Sequence, residues 1–172
     1  MNGGTRPGQV GAITTLDLGI LADSYAVNNP SSAIFGSVDA IAQHTVGHRM
    51  LTVMRLHQDT MELERLYSTS PAYPIGARKS KKGLPWSTHV LVQREVYCGS
   101  GTEEMRWAFD DYAKLESLGL GSVINTPVVY GEQCLGTLNL LHQEGWYRPT
   151  DKHLTRMLAM FLAPALLAPL EP

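Results

Sequence analysis

The clearest alternation of apolar and polar positions lies in the second half of the chain. Two apolar-rich runs, Ser122 to Val129 and Cys134 to His142, are separated by a short polar segment that contains a glycine. Val, Ile and Thr dominate the first run, which predicts a β-hairpin. Asn125 and Asn139 each interrupt an otherwise apolar strand, and a buried amide without hydrogen-bond partners costs about 1 to 3 kcal/mol. We therefore expect the hairpin face that carries them to line a cavity.

Apolar residues at helical spacing predict three long helices. The first runs from Ser31 to Gly47, the second from Thr102 to Leu118, and the third from Thr150 to Leu167, where Pro164 is expected to introduce a bend. The apolar stripe of the third helix comprises Leu154, Met157, Leu158, Phe161, Leu162, Ala165 and Leu166. Residues 1–30 mix glycine and polar residues with one weak apolar patch, which predicts an arm or a short lead-in helix.

The remaining segments predict a second hairpin and a covering loop. Arg49 to His57 and Met61 to Ser68 are short alternating runs, which predict paired strands. Thr69 to Gly83 is rich in Pro, Gly, Ser and Lys, so no long regular element is expected there. Leu84 to Leu91 predicts a turn or short helix, and Gln93 to Cys98 a strand. The resulting order favours an α+β domain over residues 31–168, with a mostly antiparallel sheet and helices on its faces.

Composition narrows the functional class. The chain has 172 residues, a formal net charge of −2 and 44% hydrophobic residues, so a single domain is expected. The nearly balanced charge gives no support to nucleic-acid binding. No apolar run approaches the roughly 20 residues of a membrane span. The glycine-rich start does not resemble a secretory signal, and the two cysteines, Cys98 and Cys134, are too few for a disulfide scaffold, so we expect a reduced, cytoplasmic protein.

A resemblance to a known family is carried by the hairpin. From Gly119, the chain reads G-x-x-S-V-x-x-x-P-V-x-x-x-x-x-x-L-G-T-L-N-L, and Pro127 and Gly136 stand in the matching places. This pattern resembles the second half of a GAF domain. The similarity continues into the segment Trp146 to Asp151, which resembles the turn before the last helix of that family, and in total it covers roughly residues 31–168.

The resemblance implies a PAS-related fold with a central antiparallel sheet. The first and last helices would pack together on one face, and a lid of loop and short helix would enclose a small-molecule pocket on the other. The expected function is a stand-alone sensory or regulatory domain. Met160 and Leu167 lie off the main stripe of the last helix, and this surplus apolar surface predicts a homodimer through the first and last helices.

The predicted ligand-binding residues come from the lid and from one face of the sheet. Relatives with a known ligand use polar side chains at the places of Val123 and Asn139. The full set comprises Tyr73, Ile75, Arg78, Trp86, His89, Tyr97, Phe109, Val123, Asn125, Thr137 and Asn139. An arginine beside several aromatic rings suits a small planar or carboxylate-bearing ligand.

The same residues are also compatible with purely structural roles that involve no ligand. Trp86 and Tyr97 are compatible with the core, and Asn125 and Asn139 with a bond to each other. Arg78 stands in a run with Lys79, Lys81 and Lys82, which is also typical of a solvated basic loop.

Two other function classes remain open at this point. His89 could act as the axial ligand of haem or as a catalytic acid or base, and the domain could instead be a pocketless dimerisation or interaction module. Enzymatic activity of the kind found in the free methionine sulfoxide reductases of this family needs a thiolate and resolving thiols. Cys134 begins a strand and Cys98 has no nearby partner in sequence, so we expect a binding protein and no catalytic residues. His44 and His48 have helical ligand spacing, but Gly47 interrupts the helix, so no metal site is expected.

Overall fold

A computed structural model describes residues 11–168 of the chain. The helices are α1 Thr15–Tyr25, α2 Pro30–Thr45, α3 Pro85–Ser87, α4 Thr102–Ala108, α5 Tyr112–Ser117 and α6 Asp151–Leu167, and a π-helical turn covers Thr88–Val92. The strands are β1 Met50–His57, β2 Glu62–Ser68, β3 Arg78–Ser80, β4 Tyr97–Gly99, β5 Ser122–Tyr130 and β6 Gln133–His142. Within residues 11–168, no helix is long and apolar enough to cross a membrane.

The six strands form one sheet in the order β3-β2-β1-β6-β5-β4, and every neighbouring pair is antiparallel. This confirms the predicted α+β class with an antiparallel sheet. In the central hairpin Val123 lies opposite Leu141 and Asn125 opposite Asn139. Because side chains alternate between the two faces of a strand, the two asparagines point to the same face, as the alternation predicts.

One face of the sheet is covered by α2 and α6. The predicted stripe of α2, which includes Ile34 and Val38, is buried against β1, β5 and β6, and Leu158 and Leu162 of α6 complete this core. Met157 was assigned to the same stripe but is exposed, since it lies on the outer side of α6. The helix continues through Pro164 to Leu167.

The segment predicted as an arm or lead-in helix contains α1, which packs on α2. Thr14 and Asp17 form a capping box at its start: the Asp17 backbone N–H donates to Thr14 Oγ1, and the Thr14 backbone N–H donates to Asp17 Oδ2. These bonds satisfy donors that the first turn leaves unpaired. At the other end, the Tyr25 hydroxyl donates to the Phe161 carbonyl of α6. The predicted arm outside residues 11–168 lies beyond the described residues.

The opposite face is covered by residues 69–87 and by α4 and α5. Two predictions fail in this layer. The expected helix Thr102 to Leu118 is interrupted, because Phe109 adopts an extended backbone (φ −132°, ψ 122°) that turns the chain between α4 and α5. The expected strand Gln93 to Cys98 shortens to Tyr97–Gly99, because the π-helical turn reaches Val92 and Arg94 takes a left-handed backbone with φ 60°.

Candidate ligand-binding site

A cavity lies between the sheet and this covering layer, on the face opposite α2 and α6. It contains about 550 Å³ of space free of protein atoms, including its opening to solvent. Its walls come from β1, β2, β5 and β6 below and from the covering layer above. The lining residues are Met50, Thr52, Met54, Leu63, Arg65, Tyr73, Lys79, Lys81, Trp86, Phe109, Asp111, Leu115, Asn125, Asn139 and Leu141.

The polar floor of the cavity is a hydrogen-bonded chain of side chains. Trp86 Nε1 donates to Asn125 Oδ1 at 3.0 Å, and Asn125 Nδ2 donates to Asn139 Oδ1 at 2.8 Å. Asn139 Nδ2 then donates to Thr52 Oγ1 at 3.1 Å and to Thr137 Oγ1 at 3.0 Å. A primary amide has two N–H donors, so Asn139 has no free donor left for a ligand. The two amides therefore mainly stabilise the floor of the cavity, and they leave few hydrogen-bonding groups for a ligand.

The roof is held by a network around Tyr73. The Tyr73 hydroxyl donates to Asp111 Oδ2 at 2.9 Å, which links the loop after β2 to the break between α4 and α5. Burial, with the hydrogen bond to Asp111, raises the pKa of Tyr73 above its ordinary value. The Arg65 guanidinium lies 5.3 Å from the centre of the Tyr73 ring, and Lys114 Nζ lies 4.3 Å from the same point. Two cations therefore lie close to the Tyr73 ring, where the negative charge of the ring face attracts them.

Lys81 is the most buried cation of the cavity. Its side chain is only 6% exposed, and its Nζ lies 4.9 Å from the centre of the Trp86 ring. Burial, reinforced by repulsion from Lys79, lowers the pKa of Lys81 to about 8. Within residues 11–168 its ammonium makes no hydrogen bond and no ion pair. A nearly buried cation therefore borders the cavity, and Asp110 and Asp111 act on its charge at longer range without contacting it.

Two neighbouring cations, Lys79 and Arg65, make hydrogen bonds to other groups. Lys79 donates to Asp110 and also approaches Asp111 Oδ1 at 3.4 Å. The hydrogen bond from Lys79 is the main cause that holds the pKa of Asp110 below its ordinary value. Arg65 Nη1 donates to the Pro74 carbonyl at 2.9 Å. With Asp110 counted as the partner of Lys79, the three lining cations face two carboxylates, so one positive charge remains, and Arg65 and Lys81 are the two that form no ion pair within residues 11–168.

Five of the predicted site residues meet at this cavity: Tyr73, Trp86, Phe109, Asn125 and Asn139. The structure places the other six elsewhere. Arg78 is exposed and pairs with Glu64 at 3.2 Å, and Ile75 is also exposed. Val123 and Thr137 are fully buried beside the cavity, where Val123 packs against apolar neighbours and Thr137 accepts the bond from Asn139.

His89 and Tyr97 belong to an aromatic cluster next to the cavity. The Tyr97 and Trp107 rings stack with their centres 4.8 Å apart, and the His89 ring contacts both edgewise at 6.1 and 6.4 Å. The Tyr97 hydroxyl donates to the Glu104 carbonyl at 2.8 Å. Among the residues described, no histidine lines the cavity.

Sequence reasoning missed the charged lining residues Arg65, Lys79, Lys81 and Asp111. A signal for the lysines was present. β3 pairs with β2, with Lys79 opposite Leu63, so alternate residues of the basic run face inward. Arg78, Ser80 and Lys82 are exposed, whereas Lys79 is half-buried and Lys81 is buried.

Metal and thiol chemistry find little support in the part of the chain that the structure describes. No group of three or more His, Cys, Asp or Glu side chains there could hold a metal ion. Burial raises the pKa of both Cys98 and Cys134 to about 11. At neutral pH both thiols are therefore protonated and weakly nucleophilic.

Comparisons with solved structures agree with this architecture. The GAF domain of a phosphoenolpyruvate-protein phosphotransferase from Coxiella burnetii is 14% identical, with a TM-score of 0.70 over 87% of this chain and 92% of that one. A phycocyanobilin-bound GAF domain from a cyanobacterial phytochrome is 13% identical, with a TM-score of 0.62 over 90% and 95% of the two chains. The free methionine-R-sulfoxide reductase from Neisseria meningitidis, solved with its substrate, is 15% identical, with a TM-score of 0.64 over 94% and 96%.

At these identities the likeness shows the fold alone. No curated protein sequence has significant similarity to the chain. The family comparison is more direct: the GAF domain family model matches residues 33–166, which is most of the chain and includes every strand of the sheet. The chain therefore belongs to the GAF domain family, a family of small-molecule-binding sensory domains.

Proposed function

We propose that this protein is a sensory GAF domain that binds a small metabolite in the cavity between the sheet and the covering layer. The observation that carries the proposal is the cavity itself, since it combines apolar walls with a few convergent polar groups, including a buried cation. Ligand sites typically have this composition. Two solved relatives, the phycocyanobilin-bound phytochrome domain and the substrate-bound sulfoxide reductase, hold small molecules on the same fold, which supports the proposal.

The proposed role is binding, and it does not extend to haem or to thiol catalysis. An imidazole ligand for haem would have to reach the cavity, but His89 packs edgewise against the stacked rings of Tyr97 and Trp107 instead. Both thiols have pKa values raised to about 11 by burial, which disfavours the thiolate that sulfoxide reduction requires.

We further propose that the protein is a homodimer whose interface involves α1 and α6. Large apolar side chains are exposed on both helices: Leu16 is 71% exposed, Ile20 51% and Met160 59%. Since α1 lies over α2, the dimer surface includes a helix that the sequence prediction did not assign to it. Ligand binding would change the conformation of the covering layer on one face of the sheet. The helices on the other side of the sheet would transmit this change to the second copy.

Native mass spectrometry of the protein as isolated tests the binding proposal, together with thermal-shift screening of a metabolite library. A ligand present at about 100 times its dissociation constant adds roughly 2.7 kcal/mol to the free energy of unfolding. Hits should lose most of their stabilisation in Phe109→Ala, which removes part of the cavity wall, and keep it in the control Val92→Ala at an exposed position of the π-helical turn. If no molecule is retained and no hit depends on Phe109, the pocketless interaction module becomes the better description.

A further inference from the structure

We infer that the ligand carries a single carboxylate that pairs with Lys81, and that the rest of the ligand is apolar. This inference rests on the proposed function, because it names the class of molecule that the same cavity accepts. The protein leaves hydrogen-bonding and charge capacity unused at the cavity wall.

The ammonium group of Lys81 has unused donor capacity. An ammonium group offers three donors and no acceptor, and it normally stays in water or pairs with an anion. Here the side chain is 6% exposed and its only described partner is the face of Trp86. A ring face compensates a buried cation only in part. A ligand carboxylate would supply both the missing charge and the missing acceptors.

The neighbouring cations do not offer the same site. Lys79 is held by Asp110 and Asp111, and Asp111 also accepts from the Tyr73 hydroxyl. Arg65 Nη1 donates to the Pro74 carbonyl and the guanidinium lies beside the Tyr73 ring, which holds this side chain in the roof, while its buried Nε has no hydrogen-bond partner. Asp110 and Asp111 offset two of the three cations, so one positive charge remains, and a monocarboxylate fits it better than a dianionic phosphate ester.

The remaining surface determines the body of the ligand. Around Lys81 the cavity is lined by apolar side chains, among which are Met54, Leu63 and Phe109. The polar floor is satisfied internally, since both donors of Asn139 and the side-chain oxygen of Asn125 are already used. A strongly polar body, such as a sugar, would find few free partners there. An aliphatic or aromatic body buries apolar surface without leaving polar groups unpaired.

The test uses three probes of one shape: benzoate, its neutral isostere benzamide, and phenyl phosphate. Binding is measured by thermal shift and by the resonance of the Trp86 indole N–H in ¹H–¹⁵N spectra. We expect benzoate, at about 10 mM, to stabilise the protein and move that resonance, and benzamide to bind at least about tenfold more weakly. Lys81→Met should weaken benzoate binding about tenfold or more, whereas Lys82→Met at the exposed neighbouring lysine should leave it unchanged.

The outcomes separate this inference from the proposed function. Equal binding of benzamide and benzoate, or full benzoate binding by Lys81→Met, would overturn the carboxylate inference while the cavity remained a ligand site. Preference for phenyl phosphate would overturn the single-charge argument. If benzoate does not bind while a retained metabolite or a Phe109-dependent hit does, the ligand class is wrong and the sensory proposal stands. If nothing binds in the cavity, both fail.

Discussion

The side-chain amide of Asn125 donates a hydrogen bond to Oδ1 of Asn139 at 2.8 Å, across directly opposed positions of β5 and β6. This bond is the middle of a chain that begins at Trp86 in the covering layer and ends at Thr52 in β1. It therefore couples the layer above the cavity to the sheet below it. Every member is buried, so each lost partner would leave a polar group out of reach of water.

Asn125→Ala should lower the free energy of unfolding by about 2 to 4 kcal/mol, because it leaves the indole N–H of Trp86 and Oδ1 of Asn139 without partners. Urea unfolding monitored by tryptophan fluorescence measures the change. Gln133→Ala, at the exposed end of β6, serves as the control and should change the free energy by less than about 0.5 kcal/mol. Equal effects of the two substitutions would contradict the coupling role of the amide pair.

The central hairpin illustrates what the sequence could predict. Alternation groups the residues of each run by face, and the resemblance to the family favours a turn that puts Asn125 and Asn139 on the same face, a geometry that the structure confirms. Their chemistry was less predictable. Whether two amides face a ligand or bond to each other depends on the strand register and on a partner such as Trp86, which is 39 positions distant in sequence. Alternation defines the face on which a side chain lies, but it does not identify the bonds made there.

The charged part of the cavity was missed for a related reason. A run containing Arg78, Lys79, Lys81 and Lys82 is typical of solvent-exposed loops, and only pairing with β2 makes alternate members of the run face inward. The break between α4 and α5 was equally hidden, since the apolar spacing of residues 102–118 fits one continuous helix. Contacts with Lys79 and Tyr73 hold Asp110 and Asp111 at the break, and these contacts are between residues far apart in sequence.

Lys81→Met should raise the free energy of unfolding at about pH 7, by roughly 1 to 3 kcal/mol, because it removes the cost of burying an ammonium. The gain should depend on pH. Burial lowers the pKa of Lys81 from 10.5 to about 8, so between these values the unfolded protein binds more protons than the folded protein. Between these two pH values the stability of the unsubstituted protein therefore rises relative to that of the variant. The gap between the two proteins in free energy of unfolding becomes smaller as the pH rises.

Urea unfolding of both proteins between about pH 7 and 10 measures this gap. The comparison with the variant is needed because other groups also affect the free energy of unfolding. These groups are present in both proteins: the thiols of Cys98 and Cys134, whose pKa values burial raises to about 11, and the charges that face Lys81 from Lys79, Asp110 and Asp111. Lys82→Met, which replaces an exposed ammonium, should show no such gap. A gap that stays constant over the range would mean that Lys81 is not a buried cation.

Tyr73→Phe should loosen the roof of the cavity, because it removes the hydrogen bond between the Tyr73 hydroxyl and Asp111 while keeping the ring. A bond to a carboxylate contributes about 1 to 3 kcal/mol, and we expect a loss of this order in the free energy of unfolding. Hydrogen exchange measured by mass spectrometry should become faster in residues 102–117. Tyr130→Phe, at an exposed hydroxyl, is the control. Unchanged exchange in Tyr73→Phe would show that Tyr73 does not hold α4 and α5 in place.

Both cysteines should react slowly with iodoacetamide in the folded protein at about pH 8. Burial raises each pKa from 9.0 to about 11, so the thiolate fraction is about 100-fold below that of the unfolded chain. Alkylation followed by peptide mass spectrometry gives the rate for each site, with the protein in urea as the reference. Fast alkylation of Cys98 in the folded state would reopen thiol chemistry on this fold, because only an accessible thiolate reacts quickly.

Met160→Glu should convert the proposed dimer to a monomer. Met160 on α6 is 59% exposed, and a carboxylate placed in the proposed interface would have to lose water when the two copies associate. Size-exclusion chromatography with light scattering, at tens of micromolar protein, should give the dimer mass for the unsubstituted chain and the monomer mass for the variant. Leu118→Glu is the matched control, since Leu118 is 42% exposed at the end of α5, in the layer on the opposite face of the sheet from α6. A monomer before substitution, or equal effects of the two variants, would remove α6 from the interface and leave Leu16 and Ile20 of α1 as solvent-exposed apolar side chains only.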